Sequence, residues 1–173
     1  MANNILRYKG NKIGKSIKEE NCEFIISEIF ETSKNYPCNI IYPKDVLVGR
    51  SIDDTSQAKE LNKINEDDLI LDIGPNTINL IKNIIEGSET ILWNGPAGYF
   101  ENPNFANGSY EIAKTIMKKN KNNSVFSVVG GGDTIALINK INAIENFNFV
   151  STAGGAFLEY LEGKELPGIK ALN

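Results

Sequence analysis

Three times in its second half the sequence carries an apolar, β-like run into glycines that open a helix. The runs are Thr90-Ile91-Leu92-Trp93-Asn94-Gly95-Pro96, Val125-Phe126-Ser127-Val128-Val129-Gly130-Gly131-Gly132-Asp133-Thr134 and Phe149-Val150-Ser151-Thr152-Ala153-Gly154-Gly155-Ala156. A fourth, Leu69-Ile70-Leu71-Asp72-Ile73-Gly74-Pro75, precedes them. In parallel α/β sheets such turns lie at the carboxyl ends of the strands, where ligands bind. Each helix that opens there brings unpaired N–H groups and a positive dipole end to that edge. Glycine lets a phosphate approach the backbone, because no Cβ intervenes. Several such turns in succession point to phosphate recognition.

Individual side chains leave two readings each. Asp133, beside Thr134 at a helix start, is either a helix N-cap or a carboxylate for Mg²⁺, a hard cation suited to nucleotide phosphates. The loop Trp93 to Glu101 could wall a planar base with Pro96 and Tyr99 or Phe100, and Glu101 could accept hydrogen bonds from ribose hydroxyls. The competing reading is a tight turn with aromatic core anchors and an exposed glutamate. Ser151 to Ala156 either offers helix amides to a phosphoryl group or packs a helix closely on a strand through small residues. The glycine-rich run at Gly130 is neither a Walker A loop nor a Gly-x-Gly-x-x-Gly fingerprint. The acidic pairs Glu19-Glu20, Asp53-Asp54 and Asp67-Asp68 read as solvated surface.

The elements that must position these residues follow from periodicity. A short helix over Met1–Lys9 ends at Gly10. A helix over Lys18–Tyr36 has Phe24, Ile25, Ile29 and Phe30 as its apolar stripe. Asn39–Tyr42 and Val46–Val48 read as strands, and 50–68 as a polar excursion with a turn of helix near Gln57–Leu61. From Leu69 onward strand and helix alternate: strand 69–73, helix 76–86 behind Pro75, strand 90–93, helix 105–119, strand 124–129, helix 133–141, strand 147–151 and helix 155–163. Regular alternation predicts an α/β fold with a parallel, Rossmann-like doubly wound sheet and helices on both faces. The chain starts in a helix with no strand before it, so this is expected to be part of a larger domain.

Composition excludes much. Net charge is −4 with no basic block, which argues against nucleic acid. The apolar runs are far shorter than a membrane span. The first residues do not form a signal peptide, which makes a reducing cytoplasm the expected compartment. With no histidine in the chain, a Ser-His-Asp triad and a histidine-ligated zinc are ruled out. Arg7 and Arg50 are the only arginines, so no multi-arginine anion clamp can be built from this chain alone.

In this order, the motifs resemble those of phosphoglycerate kinases: Gly14-Lys15-Ser16, Leu71-Asp72-Ile73-Gly74-Pro75, Trp93-Asn94-Gly95-Pro96 through Phe100-Glu101, Gly130-Gly131-Gly132-Asp133-Thr134, Ser151-Thr152-Ala153-Gly154-Gly155-Ala156, and Leu161-Glu162-Gly163-Lys164-Glu165-Leu166-Pro167-Gly168. The resemblance covers the chain but only part of the family's length. It implies that residues 1–173 are the later portion of the nucleotide-binding domain, without the amino-terminal phosphoglycerate domain. The implied activity is reversible phosphoryl transfer between 1,3-bisphosphoglycerate and ADP, giving 3-phosphoglycerate and ATP, with Mg²⁺. Glu101 would bind the ribose and Pro96 lie beside the adenine. Gly131, Gly132, Asp133 and Thr134 would line the phosphates, with Asp133 reaching Mg²⁺ and Asn94 approaching the phosphate chain. Gly154 and Gly155 would offer amides to the group in flight. Nucleotide is the expected ligand, and phosphoglycerate is expected only with the missing domain. The chain alone is expected to be inactive; the competing reading is a non-catalytic fragment or nucleotide-binding module.

Overall fold

A computed structural model describes residues 1–172 and divides them into two compact units. The first comprises Met1–Ile81 and Ala97–Gly108; the second comprises Lys82–Pro96 and the chain from Ser109 onward. In chain order the elements are α1 (Ala2–Tyr8), α2 (Glu23–Ser33), β1 (Asp45–Gly49), β2 (Gln57–Glu60), β3 (Leu69–Ile73), α3 (Pro75–Gly87), β4 (Thr90–Asn94), α4 (Asn107–Lys121), β5 (Phe126–Gly130), α5 (Gly132–Lys140), β6 (Phe149–Ser151), α6 (Gly155–Leu161) and α7 (Pro167–Lys170).

The second unit holds the expected parallel sheet, ordered β4-β5-β6, with α4 and α5 connecting its strands. Trp93, Ala113, Ile116, Val129, Leu137, Ile138 and Phe147 are buried in this unit. The first unit departs from the expectation of one continuous parallel array. Its sheet, β2-β1-β3, is antiparallel throughout. The glycine turn after Leu69–Ile73 therefore leaves a different sheet from the other three. Gln57–Leu61, expected to be helical, is largely the edge strand β2, followed by one 3-10 turn at Leu61–Lys63. The core here is Leu6, Ile13, Val46, Val48 and Ile64, with Tyr42, Leu61 and Ile70 against it.

Asn39–Tyr42 forms no strand. Its apolar content is used instead through Tyr42, whose ring meets Phe30 edge-on at 6.4 Å. The helix expected from Lys18 begins at Glu23, and its stripe is not a core face. Phe24 is 77% exposed and Ile25 and Ile29 are also exposed, leaving Ile26 as the buried residue of α2. Phe30 stacks on Tyr8 at 6.0 Å, and Lys9 Nζ lies 3.8 Å from its ring centroid. Periodicity reports that a helix has an apolar side, not that something covers it.

Two helix ends are closed by distant residues. The buried Asp45 of β1 caps α3: Oδ2 accepts from the Asn76 N–H at 2.9 Å and Oδ1 from the Thr77 N–H at 2.8 Å. At the other end of α3, the buried Lys119 Nζ donates to the Glu86 and Ser88 carbonyls at 2.6 and 2.7 Å. Both arrangements satisfy groups that a helix leaves unpaired and suit its dipole.

Asp72 is the buried carboxylate of β3. Its Oδ1 accepts from the Ile73 N–H and its Oδ2 from the Gly108 N–H, each at 2.8 Å. A Cβ on Gly108 would stand 2.3 Å from Oδ1, so only glycine admits the carboxylate here. Burial outweighs these two bonds and pushes the Asp72 pKa up to about 6. The folded chain thus binds this proton more readily than the unfolded chain. The resulting stabilisation is complete below the ordinary aspartate range and is lost as pH rises through about 6. A shift of this size corresponds to about 3 kcal/mol. No histidine titrates in the same window. The urea midpoint is therefore expected to fall between pH 5 and 7.5, and Asp72→Asn to flatten that fall. An unchanged pH slope in the variant would contradict the assignment.

Candidate phosphate-binding edge

In the second unit, parallel pairing places Asn94 opposite Gly130 and Gly130 opposite Ser151. The turns Asn94–Pro96, Gly130–Gly132 and Ser151–Gly155 thus leave one edge of one sheet, at the carboxyl ends of adjacent strands; the last two open helices as their sequences predict, whereas Asn94–Pro96 opens none and runs into a loop before α4 at Asn107. Trp93, buried behind this edge, anchors the first turn by donating its indole N–H to the Gly95 carbonyl at 2.9 Å.

The second turn is fitted against the first. The Gly95 N–H donates to Thr134 Oγ1 at 2.7 Å, and Thr134 is fully buried. Its hydroxyl therefore holds the neighbouring turn. Gly131 has φ +85°, and a Cβ there would lie 2.9 Å from Asn94 Oδ1. Both conformation and space demand glycine at this position. The first bond of α5 runs from the Ile135 N–H to the Gly131 carbonyl at 3.0 Å. Consequently the Gly132, Asp133 and Thr134 amides precede the helical ladder.

Asp133 is exposed in the first turn of α5, but it is not the N-cap. Gly131 occupies that position, without a side-chain capping hydrogen bond. The capping reading of Asp133 therefore does not hold. An exposed carboxylate remains beside the phosphate-type turn. In the third turn Gly154 is the N-cap of α6, with φ +54°, and Gly155 opens the helix. Asn94 is exposed and Pro96 half-buried.

Glu101 belongs to the first unit, on an exposed turn whose surroundings are tightly bonded. The Tyr99 N–H donates to the Leu71 carbonyl at 2.7 Å, and Asn102 Nδ2 to the Ile52 carbonyl at 2.7 Å. Asn102 Oδ1 accepts from the Asn104 N–H at 2.9 Å, and Phe105 is fully buried behind it. Phe100 is also buried, an anchor rather than a wall for a base. The bonds of Asn102 and Asp72 are not legible in the sequence, because they reach residues 50 and 36 positions away.

The acidic pair Asp67-Asp68 is split by the fold. Asp67 is exposed, but Asp68 is buried and bonded to Lys59 Nζ at 2.7 Å and to the Asn65 N–H at 2.7 Å. The surface reading of Asp68 is thereby corrected.

A family model described as phosphoglycerate kinase matches residues 1–164. The phosphoglycerate kinase of Azorhizobium caulinodans is 41% identical over 174 residues, covering 99% of this chain and 44% of that protein. That of Wolbachia pipientis from Culex pipiens is 40% identical over 173 residues, with the same two coverages. Among solved structures, phosphoglycerate kinase from Coxiella burnetii superposes with a TM-score of 0.90 at 37% identity, over 98% of this chain and 43% of that one. The Pyrococcus horikoshii enzyme gives 0.75 at 32% identity, over 99% and 42%. The chain thus spans less than half the length of the curated relatives it matches, in their carboxyl-terminal part. With these matches and three glycine turns along one parallel edge, the chain belongs to the phosphoglycerate kinase family.

Proposed function

We propose that the chain supplies the nucleotide side of a phosphoglycerate kinase, holding ADP or ATP while a phosphoryl group passes reversibly between nucleotide and the 1,3-bisphosphoglycerate/3-phosphoglycerate pair. The observation that carries this reading is the alignment of Asn94, Gly130 and Ser151 across β4, β5 and β6. It gathers three glycine turns where anionic ligands bind in parallel sheets.

In this reading Gly131, Gly132, Asp133 and Thr134 line the phosphates, Thr134 chiefly through its backbone because its hydroxyl holds Gly95. Asn94 approaches the phosphate chain and Pro96 lies beside the adenine. Gly154 and Gly155 present amides to the transferred group. Glu101 accepts the ribose hydroxyls. A lone exposed carboxylate beside a phosphate turn fits Mg²⁺, which commonly takes one or two carboxylates together with substrate phosphates. Among the described residues no three His, Cys, Asp or Glu side chains gather into a metal cage. Asp133 is the residue that would hold the ion, whose chemistry is to neutralise phosphate charge. What these residues contribute is positioning and charge stabilisation rather than covalent chemistry.

The acceptor side is assigned to the amino-terminal domain. Of the two arginines here, Arg7 already pairs with Glu20 at 3.0 Å and Glu23 at 3.5 Å. The cytoplasm is the compartment proposed with this glycolytic role, and among the described residues no helix is long and apolar enough to cross a membrane.

Trp93, the only tryptophan, reports on the edge directly. Titration with Mg·ADP is expected to give a saturable change in its emission, weakened at least tenfold in Asp133→Ala. Absence of binding at millimolar Mg·ADP would overturn the nucleotide assignment. In a coupled assay with ATP and 3-phosphoglycerate the 173-residue chain is expected to show no turnover. Turnover by rigorously purified chain would refute the division of labour between domains. Nucleotide binding without turnover in any completed protein would instead favour the non-catalytic module, a reading that the 44% coverage keeps in view.

A further inference from the structure

The chain contains two Asn-Gly bonds, Asn94-Gly95 and Asn107-Gly108. Such bonds are prone to spontaneous deamidation. The glycine nitrogen gives up its proton to water and attacks the asparagine Cγ, ammonia leaves, and a cyclic imide forms. Water then opens the imide at either carbonyl, giving aspartate or isoaspartate, with no oxidant or cofactor involved. Glycine favours ring closure because no Cβ restricts its backbone or shields its nitrogen. The nucleophile is the glycine N–H, so the acceptor that this N–H is bonded to governs the reaction.

In each bond the fold supplies that N–H with a side-chain acceptor distant in sequence. Gly95 donates to the buried Thr134 hydroxyl at 2.7 Å, and Gly108 to the buried Asp72 carboxylate at 2.8 Å. The two are not held equally. Gly108 is buried in the first turn of α4, with Asp72 and Ile73 packed against it, and its acceptor is a carboxylate. Hydrogen bonds to ionised acceptors are the stronger kind. Gly95 is half-buried, lies outside any helix and is bonded to a neutral hydroxyl, while Asn94 is exposed at the end of β4. Apart from its chain neighbours, no heavy atom lies within 4 Å of where a Gly95 Cβ would stand. This turn therefore has room to rearrange.

We propose that Asn94 is a spontaneous deamidation site gated by the Thr134 hydroxyl, and that its conversion disables the edge where the glycine turns meet. Opening one hydrogen bond frees the Gly95 nitrogen. Freeing Gly108 requires unwinding the start of α4 and uncovering Asp72, so Asn107 stays intact. The product is disruptive at position 94. Asn94 Oδ1 lies against the second turn, 2.9 Å from the point that a Cβ on Gly131 would occupy. A carboxylate in its place adds negative charge where an anion would approach. Isoaspartate also inserts one backbone atom ahead of Gly95, whose carbonyl accepts the Trp93 indole N–H. The modification rests on the two hydrogen bonds alone; its consequence for nucleotide rests on the proposed function.

The test follows both sites by peptide mass spectrometry while the 173-residue chain is aged at physiological temperature and mildly alkaline pH. In the native chain Asn94 is expected to convert at least tenfold faster than Asn107, and at least tenfold more slowly than in urea, where the two rates converge. Thr134→Val removes the acceptor and keeps the shape. It is expected to accelerate Asn94 at least tenfold, as for loss of one buried hydrogen bond, and to leave Asn107 unchanged. Thr134→Ser keeps the acceptor and should keep the parent rate. As a second measurement, hydrogen exchange at the Gly95 amide should be slow in the parent chain. Fast exchange there, a native Asn94 rate equal to that in urea or to that of Asn107, or an unaltered rate in Thr134→Val would each overturn the proposal. So would equal acceleration of both sites in Thr134→Val, because global stability rather than this bond would then be the guard. Saturating Mg·ADP is expected to slow Asn94 at least tenfold without affecting Asn107. Failure of that arm alone, with the other rates as expected, would sink the nucleotide reading and leave the modification site standing.

Discussion

Joined to an amino-terminal phosphoglycerate kinase portion, Asp133→Ala is expected to lower kcat by about 10²- to 10³-fold, as for loss of one preorganised electrostatic group. Stability should hardly change. The side chain caps no helix, since Gly131 is the N-cap of α5 without a side-chain bond. The remaining loss is a first-turn dipole contact on an exposed residue, about 0.3–1 kcal/mol. Glu101→Ala acts differently. The ribose contact proposed for Glu101 would be made equally in ground and transition states, so its loss is expected to raise KM for nucleotide with kcat kept. Steady-state kinetics of both variants beside their thermal melts separate these outcomes. Near-normal kcat for Asp133→Ala at saturating Mg²⁺ and nucleotide would remove Asp133 from the phosphate site.

Lys59→Met is expected to destabilise the first unit by about 3–5 kcal/mol, the cost of leaving a buried charge unpaired. Asp68 is buried, Lys59 is largely covered with its side chain 11% exposed, and the two meet at 2.7 Å; among the described residues Asp68 retains the Asn65 N–H when the ammonium is removed. Adding Asp68→Asn should restore most of that loss, because the uncompensated charge disappears while a side-chain carbonyl can still accept from Asn65. Denaturant unfolding of the two single variants and the double variant gives the coupling directly. A cost below about 1 kcal/mol for Lys59→Met, the range of exposed pairs, would show that the pair is solvated in solution.

Much of the candidate site was legible because it is written in local chemistry. The runs ending in Gly130-Gly131-Gly132 and Gly154-Gly155 each carry strand, turn and helix start within about ten residues, and Asn94-Gly95 closes an apolar run, so spacing alone places all three at strand ends. The α2 stripe and Asn39–Tyr42 misled for the opposite reason. Both are apolar with an acceptable period, and period says nothing about which neighbours arrive to pair or cover them. The antiparallel sheet was equally hidden, since an apolar run such as Leu69–Ile73 reads the same in either strand direction.

What the sequence by itself determined is the set of glycine turns, the order of strands and helices around them, and through that order the family. These depend on steric freedom and hydrophobic period, properties of a few adjacent residues. Only the tertiary structure decided which polar groups would be buried and what they would do. Asp45 caps a helix 30 residues later, Lys119 closes the other end of that helix, Asp68 leaves the surface to meet Lys59, and Asp72 is buried against Gly108 with a raised pKa. Each is an ordinary charged residue in sequence. Its role is set by electrostatics in a low-dielectric interior, where the partner is chosen by the path of the chain rather than by proximity along it.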